Sequence, residues 1–211
     1  LPQAAQVEVL SGGFRDVDGA LRSAVLRFEP GQLDPAQAID KHRLVPLGEW
    51  IPGGRWLSWA GLSAVGGVSF GEPSRLLARP AGAVGVAICY EIADGSALAA
   101  AARDGAGWLL ASANLDPYPA QLQGQFAALA QLRAIETGRW LVSAANTGPS
   151  LLVDSSGAVR QRLSTGRAGT LSVQLQVRAG LTGYSRAGEL PLLLLAVAAG
   201  IARQRSRVRQ S

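Results

Sequence analysis

A chain of 211 residues is long enough for one domain with a substantial core, and its single cysteine and single histidine exclude an internal disulfide and a usual zinc ligand set. The net charge of +5 does not point to nucleic acid: Arg203, Arg205, Arg207 and Arg209 supply four of those charges at the extreme C-terminus, and no aromatic-studded basic surface accompanies them. Apolar residues make up 48% of the chain and the mean hydropathy is +0.17, rich for a soluble protein.

Leu1-Pro2-Gln3-Ala4-Ala5 has no basic region and no apolar core, so it is not a signal peptide; it reads as the middle of a longer protein. Strands are expected at Gln6–Leu10 and Ser23–Phe28. Residues 29–75 are rich in Gly, Pro and Trp with little periodicity, and so long an irregular span is often functional. Short strands follow at Arg75–Ala78 and Ala83–Ile88, then a helix over Ala97–Asp104 and a buried strand at Trp108–Ser112. Pro119 opens the clearest helix, with Leu122, Phe126, Leu129 and Arg133 on one face and Gly138 as its cap. Strands at Leu141–Ala145, Leu151–Val153, Val159–Leu163 and Gly169–Val177 complete the pattern, with Asp154-Ser155-Ser156-Gly157 as a hairpin turn. Strands interleaved with helices indicate a layered α/β domain over 1–188. In 189–211, Leu190–Ala202 is free of charge and precedes the arginines. A helix of that length spans about 20 Å against a hydrocarbon core of about 30 Å. It is either a buried terminal helix or a short membrane helix with its arginines on the cytoplasmic side.

Two singletons suggest a chemistry, a nucleophile and its cation, beside the plainer readings of a buried small thiol and a solvated surface charge. Cys89 ends the strand Gly85–Ile88 and runs through Tyr90 and Glu91 toward Asp94-Gly95 and a helix. Such a turn exposes a side chain beside free backbone N–H groups, which suits a nucleophile and its oxyanion. Lys41 is the only lysine; near a thiol it would favour the thiolate and the developing oxyanion. Trp50, Trp56 and Trp59 crowd a Gly-rich stretch, either as the core packing of a long loop or as an apolar lid near Cys89. His42 reads as a loop histidine, and Arg133 with Glu136 as a helical ion pair.

The segments Lys41–Glu49, Cys89-Tyr90-Glu91, Arg133–Glu136 and Asn146-Thr147-Gly148 resemble, in order and spacing, the nitrilase (carbon–nitrogen hydrolase) superfamily. Leu181–Arg186, Leu190-Pro191 and the apolar run with its basic end look like one branch, the apolipoprotein N-acyltransferases. The resemblance implies an α-β-β-α sandwich with a short C-terminal apolar helix, and a Glu-Lys-Cys triad working without metal or cofactor. Cys89 matches the nucleophile, Lys41 the family lysine and Glu49 a further active-site carboxylate; Tyr90, Glu91 and Asn114 are expected to line the substrate and oxyanion site. The general-base Glu is expected before Leu1, and Glu8, in mid-strand, is a poor substitute. Asn114-Leu115-Asp116-Pro117-Tyr118 departs from the relatives' usual Asn-Asp-x-Trp. The implied activity moves an acyl chain from a phospholipid, through a Cys thioester, to a diacylglyceryl-modified lipoprotein on the periplasmic face of a bacterial inner membrane. A carbon–nitrogen hydrolase (amidase or nitrilase) and a catalytically silent truncated domain are the competing readings.

Overall fold

The computed structural model describes residues 6–46, 48–50, 67–116 and 118–208, without side-chain placement for 206–208. Two sheets form its centre. Strands β1 (Val9–Val17), β2 (Ala20–Phe28) and β3 (Gln37–Asp40) make an antiparallel sheet. A six-stranded sheet runs β4 (Leu76–Leu77), β5 (Val84–Ile88), β6 (Trp108–Ala113), β7 (Leu141–Ala145), β8 (Ser150–Val153) and β9 (Val159–Leu163). Its three central strands, β5 to β7, are parallel. Helices α1 (Gly95–Arg103) and α2 (Ala120–Thr137) pack on one face, followed by the short α3 (Gly183–Ala187) and then α4 (Leu190–Val208).

The period of two along a strand sorts its side chains into two cores. Val84, Val86, Ile88, Trp108 and Leu110 point toward Val25 between the sheets. Ala87, Leu109, Ala111 and Leu141 point the other way, onto Leu98 of α1 and Ala130 and Ala134 of α2. This explains why β5 and β6 read as continuous apolar runs: both faces are covered. The small residues Ala130 and Ala134 bring α2 close to the sheet; of the expected face Arg133 is buried and Phe126 and Leu129 pack partly buried against the core, while Gln123, Ala130, Ala134 and Thr137 complete the buried side.

The expected nitrilase-like sandwich is met in its sheets: α1 and α2 cover the six-stranded sheet, which packs on the three-stranded one. Two expectations are corrected. Gly169–Val177 keeps an alternating exposure but joins no ladder and is not a strand. The apolar run is helical, but no described helix is long and apolar enough to cross a membrane, and over 190–205 the helix is exposed rather than buried.

The hairpin between β8 and β9 turns on Asp154, whose Oδ1 accepts from the Ser156 backbone N–H (2.8 Å), the Ser156 hydroxyl (2.6 Å) and the Ala158 N–H (3.1 Å). The Ser156 hydroxyl is the largest of the influences that, against burial, hold the Asp154 carboxyl down at about 2. A carboxyl depressed in the fold stabilises it above the ordinary value of 3.8 and loses that contribution as pH falls through 2. Asp154→Asn should therefore lower the urea midpoint at pH 7, and the gap to the parent should close between pH 4 and pH 2. A constant gap would show that the charge is not what matters.

Candidate active site

Parallel strands present their C-terminal ends at one edge, and there β5, β6 and β7 meet β1 and β2 around a cleft of about 580 Å³. Cys89 stands at the end of β5, the first residue of a 3-10 turn over Cys89–Ala93 that leads into α1. Its φ is 52°, a left-handed conformation that a residue with a Cβ adopts only at a cost. The turn points the thiol into the cleft, and Asp94 caps α1 through the N–H groups of Ser96 and Ala97.

Lys41 follows β3 directly, and its backbone is gripped from two sides. Its N–H donates to the Ser23 carbonyl (2.7 Å), and its carbonyl accepts from the Gly71 N–H (2.8 Å). Only glycine fits at 71, where a Cβ would lie 2.6 Å from the Asp40 carbonyl oxygen. The ammonium, 1% exposed as a residue, donates to both oxygens of Glu49 at 2.7 and 2.6 Å, and Glu49 also accepts from the Val45 N–H at 2.7 Å. Lys41, Glu49 and Cys89 thus share one cleft, with Asn114 on its wall. Asn114 Oδ1 accepts from Asn146 Nδ2 (2.8 Å) and the Asp116 N–H (3.1 Å), while Asn146 Oδ1 accepts from the Leu115 N–H (3.0 Å). This amide pair fixes the loop after β6.

Burial pushes the Cys89 thiol up, and Glu49 adds to the rise; Lys41, the Tyr90 N–H and the Tyr118 hydroxyl oppose it without reversing it. Proximity to lysine therefore does not by itself make a thiolate at neutral pH, and a base must take the proton. Tyr118 was not evident from sequence, standing in a loop that departs from the family pattern. Its ring stacks on Phe126 (centroids 6.2 Å apart), and Gln123 Nε2 donates to the Leu115 and Tyr118 carbonyls at 3.2 and 2.9 Å. The hydroxyl shares the cleft with the Cys89 thiol, and burial followed by the nearby Cys89 and Glu49 charges raises its own pKa. Tyr118→Phe should move the pH profile of Cys89 alkylation by iodoacetamide to higher pH; an unmoved profile would mean that the hydroxyl does not stabilise the thiolate.

Tyr90 and Glu91 do not line the cleft with their side chains. Tyr90 is exposed and offers only its backbone N–H to the thiol. Glu91 lies beneath the site: its carboxylate accepts from the N–H groups of Ile88 (2.9 Å), His42 (2.7 Å) and Arg43 (3.0 Å) and from Arg75 Nη1 at 3.0 and 3.1 Å. It joins the Cys89 turn to the Lys41 loop. Glu8 is held by Arg27 and Arg79, which outweigh burial to keep its carboxyl below the usual range; it faces away from the cleft chemistry. Trp50 packs edge-on against Phe70 (5.3 Å) in a neighbouring groove, while Trp56 and Trp59 lie outside the described residues. Gly12 and Gly13 form part of the cleft wall, and a Cβ at Gly12 would meet Ser112 Oγ at 2.7 Å. A glycine pair inside a strand is the sequence signal for so close an approach.

The chain is 51% identical over 209 residues to the apolipoprotein N-acyltransferase of Prochlorococcus marinus (strain MIT 9313), covering 99% of this chain and 42% of that protein. It is 53% identical over 180 residues to that of Parasynechococcus marenigrum (strain WH8102), covering 85% and 39%. The chain thus spans about two fifths of the length of these curated relatives. In fold it is similar to a Saccharomyces cerevisiae member of branch 10 of the nitrilase superfamily, with a TM-score of 0.62 at 15% identity, covering 79% of this chain and 59% of the other. Residues 2–184 match the carbon–nitrogen hydrolase family, and with the two sheets and the cysteine turn in place the chain belongs to that family.

Proposed function

We propose that this chain is the catalytic part of an acyltransferase that passes a fatty acyl group from a phospholipid, through Cys89, to the α-amine of a diacylglyceryl-modified lipoprotein. The observation that carries the reading is the convergence of Cys89, Lys41 and Glu49 on one cleft in a chain about half identical to proteins named apolipoprotein N-acyltransferase.

The raised pKa of Cys89 calls for a base, and the family resemblance assigns it to a glutamate ahead of the first strand. As that carboxylate takes the thiol proton, sulfur attacks the ester carbonyl and a C–S bond forms. The Lys41 ammonium, held in place by Glu49, and the Tyr90 N–H stabilise the oxyanion. Collapse breaks the ester C–O bond, and the lysophospholipid leaves with the proton. The lipoprotein amine then attacks the thioester, its N–C bond replaces the C–S bond, and its proton goes to the base. Thiolate is the better leaving group of the two, which drives this second half. The same reading puts the enzyme at a bacterial inner membrane with this domain on the periplasmic face, and gives Trp50, Trp56 and Trp59 the role of a lid over the acyl chain.

Intact mass of the protein in detergent after incubation with phosphatidylethanolamine tests the reading. An added acyl mass that hydroxylamine removes is expected. No adduct, together with release of ammonia from simple amides, would replace it with a hydrolase.

A further inference from the structure

The end of the parallel strands opposite the cleft carries a second cavity of about 410 Å³, and its chemistry is one-sided. Arg103, Arg139 and Arg178 line it, and no carboxylate is among the lining residues. The two cavities share no residue: one lies at the C-terminal ends of β5 to β7, the other beside Gly105, Gly107 and Arg139, just ahead of β6 and β7. The length of β6 separates them by about 17 Å.

Positive charge gathered this way is unusual in a chain that pairs its arginines readily. Arg15, Arg22, Arg27, Arg75 and Arg79 all meet carboxylates. The three cavity arginines, by contrast, bond only to neutral oxygens among the described residues. Arg139, 3% exposed, donates through Nε to the Ala106 carbonyl (2.7 Å), through Nη1 to Thr137 (3.3 Å) and through Nη2 to Gly180 (2.8 Å). Arg103 Nη1 reaches the Ser185 carbonyl (2.7 Å), and Arg178 Nη1 the Ser155 hydroxyl (2.8 Å). Carbonyl dipoles hold the Arg139 fork rigid but leave its charge uncancelled, and burial together with the neighbouring Arg178 works against that charge. The wall is firmly built: the Arg178 N–H donates to the Gly107 carbonyl (2.9 Å), and Val177 packs so closely on Gly107 that a Cβ there would lie 2.5 Å from its Cγ1.

We propose that this cavity is a binding site for a phosphate-bearing group, either a free phosphate monoester or the headgroup of an acidic lipid, with Arg139 as the fixed fork and Arg103 and Arg178 closing on it from the rim. Guanidinium forks match the oxygens of phosphate, and three of them without a competing carboxylate favour a doubly charged or diester anion over a neutral ligand. The exposed Val177 and the half-buried Leu181 on the rim leave room for an apolar substituent beside the phosphate. The site stands apart from the acyl-transfer reading and does not rest on it.

The test uses the whole protein in neutral detergent, titrated calorimetrically with sn-glycerol 3-phosphate and, separately, with detergent-dispersed phosphatidylglycerol against phosphatidylcholine. Arg139 is left in place because its three bonds hold backbone. Arg103→Gln with Arg178→Gln should weaken the phosphate probe by about tenfold or more, while the charge-matched pair Arg162→Gln with Arg167→Gln, off the cavity, should change it less than twofold. Saturation by glycerol phosphate alone identifies a soluble ligand; preference for phosphatidylglycerol, displaced by glycerol phosphate, identifies a lipid headgroup. Absence of binding to either probe, or equal weakening in both double variants, overturns the site. Acyl-adduct formation at Cys89, read on the same samples, keeps failure of this site separate from failure of the enzyme assignment.

Discussion

Cys89→Ala is expected to abolish the hydroxylamine-sensitive acyl adduct and to slow acyl transfer by about 10³-fold or more, the scale seen when an enzyme loses its nucleophile. The hydroxyls of Ser112 and Tyr118 share the cleft but are far weaker nucleophiles at neutral pH, so they offer no substitute. The thermal midpoint should barely move, because alanine and cysteine bear the same steric cost at a φ of 52°. Cys89→Gly removes that cost, roughly 1–2 kcal/mol for a left-handed residue, and gives part of it back as unfolded-state entropy. It should therefore melt no lower than the parent while being equally inactive. Persistence of the adduct in Cys89→Ala would end the assignment of this residue as nucleophile.

The second large effect is on stability. Glu91→Ala should cost about 3–5 kcal/mol, because it strands the buried Arg75 guanidinium and leaves the N–H groups of Ile88, His42 and Arg43 without their acceptor. Arg75 and Glu91 are 2% and 3% exposed at their side chains, so water cannot replace the lost partner. The double variant Arg75→Met with Glu91→Gln should recover part of the loss, since the stranded charge is gone and the amide still accepts from backbone. Chemical denaturation of both variants measures this. A loss below about 1 kcal/mol in Glu91→Ala would mean that the carboxylate does not hold the two loops together.

What could be read from sequence was what has a local physical signature. The strands β5 to β7 were legible because apolar runs bounded by Gly and Pro are short, and the hairpin at Asp154 because its turn residues act within four positions. Asp18-Gly19, at φ 55° and 79°, is an equally strong hairpin signal that joins β1 to β2, but Ser11–Asp16 ahead of it lacks the alternating apolar pattern that would mark a strand. β3 was hidden in the long irregular span, since Gln37–Asp40 owes its strand to pairing with β2 rather than to its own composition. Gly169–Val177 alternates as a strand should, yet its partners are lacking among the described residues.

The site follows the same division. Lys41 and Cys89 were conspicuous as singletons, and the family pattern supplied Glu49. The burial of Glu91 was not legible, because its partners come from 41–43, 75 and 88, and only the fold brings those together. Tyr118 reaches the cleft from a loop shaped by Gln123, a placement that no spacing rule encodes.

The left-handed backbone at position 89 bears on how damage to this protein would be noticed. A sulfur stands where the polypeptide would rest more easily with nothing beyond Cα, so the substitution that relaxes the main chain is also the one that removes the nucleophile. Screens that rank variants by expression yield or heat tolerance would pass such a mutant as healthy. Only an assay that counts turnovers would expose it.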